Sequence, residues 1–333
     1  MNITVDSIGA AIKSSASDFA ACLANSWQFT WHNGAPHKVM AEADSDWLRI
    51  LIQLNSGPTP PGLWAALQLN SRIPGLARFV LAKEGFLQLR ADLPLFDGID
   101  LERRVLETRL GFEKAWIGLG SSRSADERAV GISEPKPESS RCGSGEPRSA
   151  AASEPEPATA NLQTLCTEAG WPFTERGGRL LAVELETPGS FNQALLAPAG
   201  EGVRITCELA RLDSLTETCQ RAVAGLLLAA SGVVRMARGS LRADESPAIR
   251  AETEAGAGEA SSAQIAQFEV VFASAPAAIE ISSALDCLSL ICSMSGEAEI
   301  KALQTPEIAE RYLAMRGWDA TPANRANERT DTQ

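Results

Sequence analysis

Two histidines, seven cysteines and 42 acidic side chains are the raw material for chemistry in this 333-residue chain. His32 and His37 both flank Asn33-Gly34, a hairpin signal. A nucleophile–His–acid mechanism would have to recruit one of them. Two histidines so close together in a polar turn fit solvated loop residues instead. Cys287 and Cys292 are five apart, off the spacing that puts two ligands on one helical face, and no CxxC pair exists. A zinc site is therefore not expected. There is no GxxxxGK[ST] phosphate loop and no GxGxxG after a strand. Gly118-Leu119-Gly120 reads as the end of a helix, not the start of one. Asp44 and Asp46 flank Trp47 at a turn, where solvated carboxylates are the ordinary outcome. The expectation is no catalytic residue, no metal and no cofactor. A hydrolase or transferase built from acids and one histidine is the alternative.

Tryptophan is more informative. Trp27, Trp31, Trp47 and Trp64 cluster in the first half, whereas the whole chain has one tyrosine. Between Trp47 and Leu54, Leu48, Ile50, Ile52 and Leu54 alternate with Trp47, Arg49, Leu51 and Gln53. If the first set faces helices, Trp47 and Leu51 lie on the opposite face of the sheet. Trp31, Trp47, Leu51 and Trp64 are the expected partner-contact residues, whether the partner is another protein or the second half of the chain.

The formal net charge is −12. Nucleic acid and anionic membrane surfaces are poor partners for such a chain, because both demand concentrated basic side chains. Residues 161–333 hold 14 basic and 23 acidic groups, against 11 and 12 in residues 1–120. The acidic half would attract a basic protein or peptide segment. The odd cysteine count without CxxC pairs fits free thiols in a reducing cytoplasm. The N-terminus lacks a basic start followed by an apolar stretch, so no signal peptide is expected. Val223–Val234, the longest apolar run, is shorter than the roughly 20 residues that span a bilayer and reads as a buried helix.

The elements that must position these residues follow from periodicity. Residues 6–25 read as a helix, although Ser14, Ser15 and Ser17 weaken it. Strands at Gln28–His32, Lys38–Asp44 and Trp47–Leu54 follow, then a helix near Leu63–Ser71. Ala77–Ala82 and Phe86–Asp92 flank Lys83-Glu84-Gly85 as a hairpin. Within it Leu87, Leu89 and Ala91 share one face, and Gln88, Arg90 and Asp92 the other. Asp97-Gly98 turns, and Asp100 caps a helix carrying Leu101, Val105, Phe112 and Trp116 on one stripe.

The second half repeats that order. It runs as a helix at Asn161–Gly170, strands at Arg179–Glu186, Phe191–Ala197 and Gly202–Arg211, and a helix at Leu215–Ala230. Strands at Val233–Leu241 and Gln267–Ala273 and a helix from Pro276 complete it, with a last helix opened by Thr305-Pro306 and stopped by Gly317. Trp171-Pro172-Phe173-Thr174 echoes Trp27-Gln28-Phe29-Thr30. The fold class expected is α+β: two tandem αβββαββα units, each an antiparallel sheet packed with helices, paired as an internal pseudo-dimer. The first unit takes residues 1–120 and the second 161–318, the latter with an insertion over 242–264. The Ser/Pro/Glu-rich stretch 121–160 and the tail 319–333 are expected to be a disordered linker and a disordered end.

The string Phe86-Leu87-Gln88-Leu89-Arg90-Ala91-Asp92-Leu93-Pro94-Leu95, then Asp97-Gly98-Ile99-Asp100, preceded by Leu69-Asn70, resembles the type III secretion chaperone-like family. That family includes the CesT-type class I chaperones and the YbjN proteins. The resemblance covers residues 15–119, and residues 161–303 by element order alone, since Ala273-Ser274-Ala275-Pro276 stands where Asp-Leu-Pro-Leu would be. It implies a small non-catalytic α+β domain that pairs as a dimer and, in the chaperones, holds an extended stretch of a partner protein. Here the two units would form that pair within one chain. A structural protein whose only partner is itself is the third reading.

Overall fold

The computed structural model describes residues 3–33, 35–54, 60–82, 85–128, 158–177, 179–187, 190–212, 214–244 and 263–318. Among these residues the chain forms eight helices and two six-stranded antiparallel sheets. The first unit comprises α1 (Val5–Ser15), β1 (Ser17–Leu23), β2 (Ser26–Asn33), β3 (Ala35–Ala43), β4 (Trp47–Gln53), α2 (Pro60–Asn70), β5 (Arg78–Leu81), β6 (Leu87–Pro94) and α3 (Leu101–Arg128). The second comprises α4 (Ala158–Glu168), β7 (Thr174–Arg176), β8 (Leu180–Thr187), β9 (Ser190–Ala199), β10 (Gly202–Leu212), α5 (Glu217–Val233), β11 (Arg238–Ala243), β12 (Gln264–Phe272), α6 (Ala278–Met294), α7 (Glu297–Ala302) and α8 (Pro306–Arg316).

The sheets have the same topology. One runs β1-β2-β3-β4-β6-β5 and the other β7-β8-β9-β10-β12-β11. Each unit therefore reads αββββαββα, the expected mixed α+β order with one more strand at the outer edge. In the first unit that strand comes out of the expected 6–25 helix. Ser14 and Ser15 turn their hydroxyls back onto the carbonyls of Ala11 and Ile12, and Ala16 is already extended. The spacing of Phe19, Cys22 and Leu23 imitated a helical stripe, yet β1 is exposed over six of its seven residues.

The extra strands also displace the Trp171 echo. Trp27 lies in β2, whereas Trp171 falls in the loop between α4 and β7, so the two tetrapeptides are not equivalent. Equivalent positions are instead the hairpin arginines, Arg78 in β5 and Arg238 in β11. A second difference concerns Gly118, which lies inside α3 rather than at its end. Leu69 of α2 presses on it so closely that a Cβ there would sit 2.6 Å from the leucine side chain. The glycine makes room for a helix crossing. Helix α3 runs on to Arg128 and α4 begins at Ala158, each reaching into the stretch expected as linker. The rest of that stretch, most of the 242–264 insertion and the 319–333 tail lie outside the described residues. Other local expectations hold. Asp100 Oδ1 accepts from Arg103 N at 3.1 Å, and Gly317 ends α8 with φ +65°.

The buried apolar residues of both units form one continuous cluster. The halves exchange helices: α5 of the second unit lies on β5 of the first, and α2 of the first lies on β11 of the second. Gly232, on the last turn of α5, sits against the carbonyl of Leu81 so tightly that a Cβ would come within 2.5 Å of it. Burying an apolar helix on a foreign sheet removes two surfaces from water at once, which is why α5 is apolar on most sides.

Candidate functional site

The seam between the units is built from charge inside apolar strands. Arg78 and Asp92 are both fully buried, with Nη2 of the arginine donating to Oδ2 at 2.5 Å. Arg90 donates to the same carboxylate from Nε and Nη2, at 2.7 and 2.9 Å. Arg49 of β4 adds a third arginine, its Nε 3.3 Å from Oδ1. The second unit repeats the arrangement with Glu269, which binds Arg238 and Arg204, each at 3.1 Å. The arginines then reach across. Arg78 donates to the Val234 carbonyl and Arg90 to that of Gly232, beyond and at the end of α5. Reciprocally, Arg204 donates to Ser71 O, just past α2, and Arg238 to Gly75 O and Ala77 O. Each helix terminus leaves carbonyls without intrahelical partners, and here the opposite unit's guanidinium satisfies them.

Burial alone would raise the Asp92 carboxyl, but Arg78 and Arg90 hold it at about 2. Burial pulls Arg78 down to about 10 against the attraction of Asp92. The two partners differ in sign: the acid gains from the pair, while desolvation costs the arginine more than the pair returns. Such a cluster specifies how the units register more than it adds net stability. At the rim, Arg104 of α3 donates to Glu280 of α6 at 2.6 Å, and Asn70 joins Phe79 to the Gly239 carbonyl.

The four expected partner-contact residues do not share one surface. Trp31 is 3% exposed and lies under α3. Trp47 and Leu51 are half-buried on the other face of the sheet. Trp47 is covered by Arg235 of the second unit, whose guanidinium stands 5.0 Å from the ring and pairs with Asp44 at 2.7 Å. Asp44 Oδ1 meanwhile accepts from the backbone N–H groups of Asp46 and Trp47. These are turn and seam contacts, not an acid–base pair. Trp64 packs half-buried against the common core.

Trp31 and His37, opposite one another on β2 and β3, line a half-open hollow with Ile52, Arg109, Phe112, Glu113 and Trp116. The His37 ring stands 4.0 Å from Trp116. Trp31 Nε1 and His37 Nε2 are buried without a hydrogen-bond partner among the described residues. Burial, then the nearby His32, pulls His37 below its ordinary range, so the ring is neutral at pH 7. Arg109 binds Glu113 at 3.1 Å and Ser15 O at 2.9 Å. No serine, threonine, cysteine or lysine is among the lining residues, and the space takes about one water. The hollow can seat one hydrogen-bonding atom. His32 sits apart, with Nε2 2.9 Å from Ser17 Oγ. Among the described residues no group of three or more His, Cys, Asp or Glu is placed to hold a metal, and no helix is long and apolar enough to cross a membrane.

Two kinds of surface remain. The outer edges of the sheets are β1 and β7, and among the described residues β1 is hydrogen-bonded as a strand on one side only. It carries Leu23, 77% exposed. Helix α3 presents Leu106, Leu110 and Ile117 to solvent, and α6 presents Ile279, Leu290 and Met294. Reading the sequence missed the seam, because Arg90 and Asp92 alternate as a solvent face would. The signal that could have found it is an arginine opening the first of two paired strands in both halves, Arg78 and Arg238. No family model, no curated protein and no solved structure matches this chain.

Proposed function

We propose that this chain is a non-enzymatic protein-binding module of the type III secretion chaperone-like kind, two units closed into one body, working in the cytoplasm. It holds an extended partner segment by adding it as a strand beside β1. The observation that carries this reading is β1 itself, an edge strand that among the described residues pairs with β2 alone and is exposed over six of its seven residues. Exposed edges are normally blunted. This one is bent by two register shifts and by Asp18 at φ +50°, yet stays long enough to pair. Arg109 of α3 reaches Ser15, beside the start of β1, and the exposed Leu106 and Leu110 lie within one turn of that arginine. Apolar side chains of a bound segment would settle there. The acidic excess of residues 161–333 favours a basic segment.

The test is hydrogen exchange on the whole chain with a panel of extended peptides of graded charge. A bound basic peptide should slow exchange of amides 17–23. Binding that leaves β1 exchanging as in the free chain, or turnover of a substrate at the His37 hollow, would contradict the reading.

A further inference from the structure

The second unit holds a feature that partner binding does not use. Cys207, in the middle of β10, and Cys292, near the end of α6, bring their sulfurs to 3.4 Å. Both are buried, at 0% and 3% exposure. We infer that Cys207 and Cys292 are a latent redox pair which hydrogen peroxide converts to a disulfide, stapling β10 to α6.

Closing the bond moves the sulfurs by little more than an ångström, to about 2.05 Å, within the reach of rotamer adjustment. The step balances. One thiol loses its proton and its sulfur attacks the peroxide; an S–O bond forms, the O–O bond breaks, and water leaves once the proton is returned. The second sulfur then attacks the sulfenic acid; the S–S bond forms, the S–O bond breaks and a second water leaves. Two thiols have lost two electrons, and one peroxide has become two waters. The order matters, because a sulfenic acid formed at contact distance from a second thiol is captured before further oxidation.

The four remaining described cysteines are placed differently, Cys166 being buried in α4. Cys22 is exposed. Cys219 donates to the Gln304 carbonyl, and Cys287 faces the seam, where Arg78 and Asp92 are its charged neighbours. The hydrogen bond with Cys207, then burial, pushes the Cys292 thiol up, so thiolate is scarce and the reaction slow. A water-sized neutral oxidant suits such a site, and bulky alkylating reagents do not.

Oxidation would tie together residues 85 apart in sequence. Closing a loop of that size removes much freedom from the unfolded chain. The full chain is incubated with hydrogen peroxide, alkylated, digested without reductant and mapped by mass spectrometry, and its melting temperature is read before and after. The expected result is a peptide pair linking Cys207 to Cys292, short by two hydrogens, with a melting temperature raised by on the order of 10 °C and restored by dithiothreitol. Cys292→Ala should abolish both changes. The mapping needs only the natural chain, so it stands even if that variant folds poorly. Recovery of Cys207 and Cys292 as free thiols while Cys22 oxidises, their appearance as sulfinic acids, or a disulfide to Cys287 instead would each overturn the proposal.

Discussion

The two halves of the seam solve one problem with different charge counts. Around Asp92 three arginines share one carboxylate, and two of them, Arg78 and Arg90, are buried with it. Around Glu269 two arginines share the carboxylate, and Arg204 keeps a third of its side chain in water. The first cluster depends on its acid for neutrality, whereas the second can lean on solvent. The difference teaches that a duplicated fold need not divide its energetics evenly: the pseudo-twofold is kept in the backbone and relaxed in the side chains.

The largest effect should come from Asp92→Asn. It leaves Arg78 and Arg90 facing each other without an anion, and removing one member of a buried pair costs about 3–5 kcal/mol. Glu269→Gln should cost less, about 2–3 kcal/mol, because only Arg238 is left fully buried while Arg204 keeps a third of its side chain in water. Urea unfolding of both variants checks the order, and an equal loss would erase the asymmetry.

Next is the helix contact. Gly232→Ala drives a methyl onto the Leu81 carbonyl and should cost about 1–3 kcal/mol. Gly170→Ala, where a Cβ would meet nothing but the left-handed φ +78° is strained, should cost nearer 1 kcal/mol. Calorimetry on the pair separates packing from backbone strain.

Polar continuity sharpens the comparison further. Asn70 and Ser231 hold equivalent places, each accepting from a strand amide, Phe79 N in one case and Gly239 N in the other. Asn70 alone also donates across the seam, to Gly239 O. Asn70→Ala should therefore lose about 2–3 kcal/mol and Ser231→Ala about 1–2 kcal/mol in denaturant titrations.

Acid should find the first cluster as well. Asp92 titrates near 2 in the folded chain, below its ordinary value of 3.8. A depressed carboxylate adds stability that is complete above the unfolded pKa and is lost as pH falls through the folded one. Between about pH 4 and pH 2 the natural chain should lose about 2 kcal/mol that Asp92→Asn does not lose. Parallel acid titrations followed by circular dichroism test this. The smallest effect belongs to Arg235→Ala. Its bridge to Asp44 and its place over Trp47 are partly exposed, so the cost should stay below about 1 kcal/mol and shrink with salt.

Much of the architecture was legible in the chain. The Leu87–Asp92 alternation, the Asp100 cap and α5, apolar on most sides, each state their own structure. Strand β1 was not legible, because an edge strand buries almost nothing and so carries no period-two signal. The seam hid for the opposite reason. Polar residues in alternation normally face water, and a second unit resting on that face is invisible to any pattern read along one strand. The hollow was half legible: His37 stood out, but Arg109, Phe112 and Trp116 joined it only through the crossing of α3 over the sheet.

The central claim is that the halves are one module used twice and clasped through each other's helices. Native-state hydrogen exchange on Asp92→Asn tests it most directly. The clasp predicts that protection falls in β11 of the second unit, residues 238–243, by as much as in β5 of the first. Loss confined to the first unit, with β11 exchanging as in the natural chain, would contradict it.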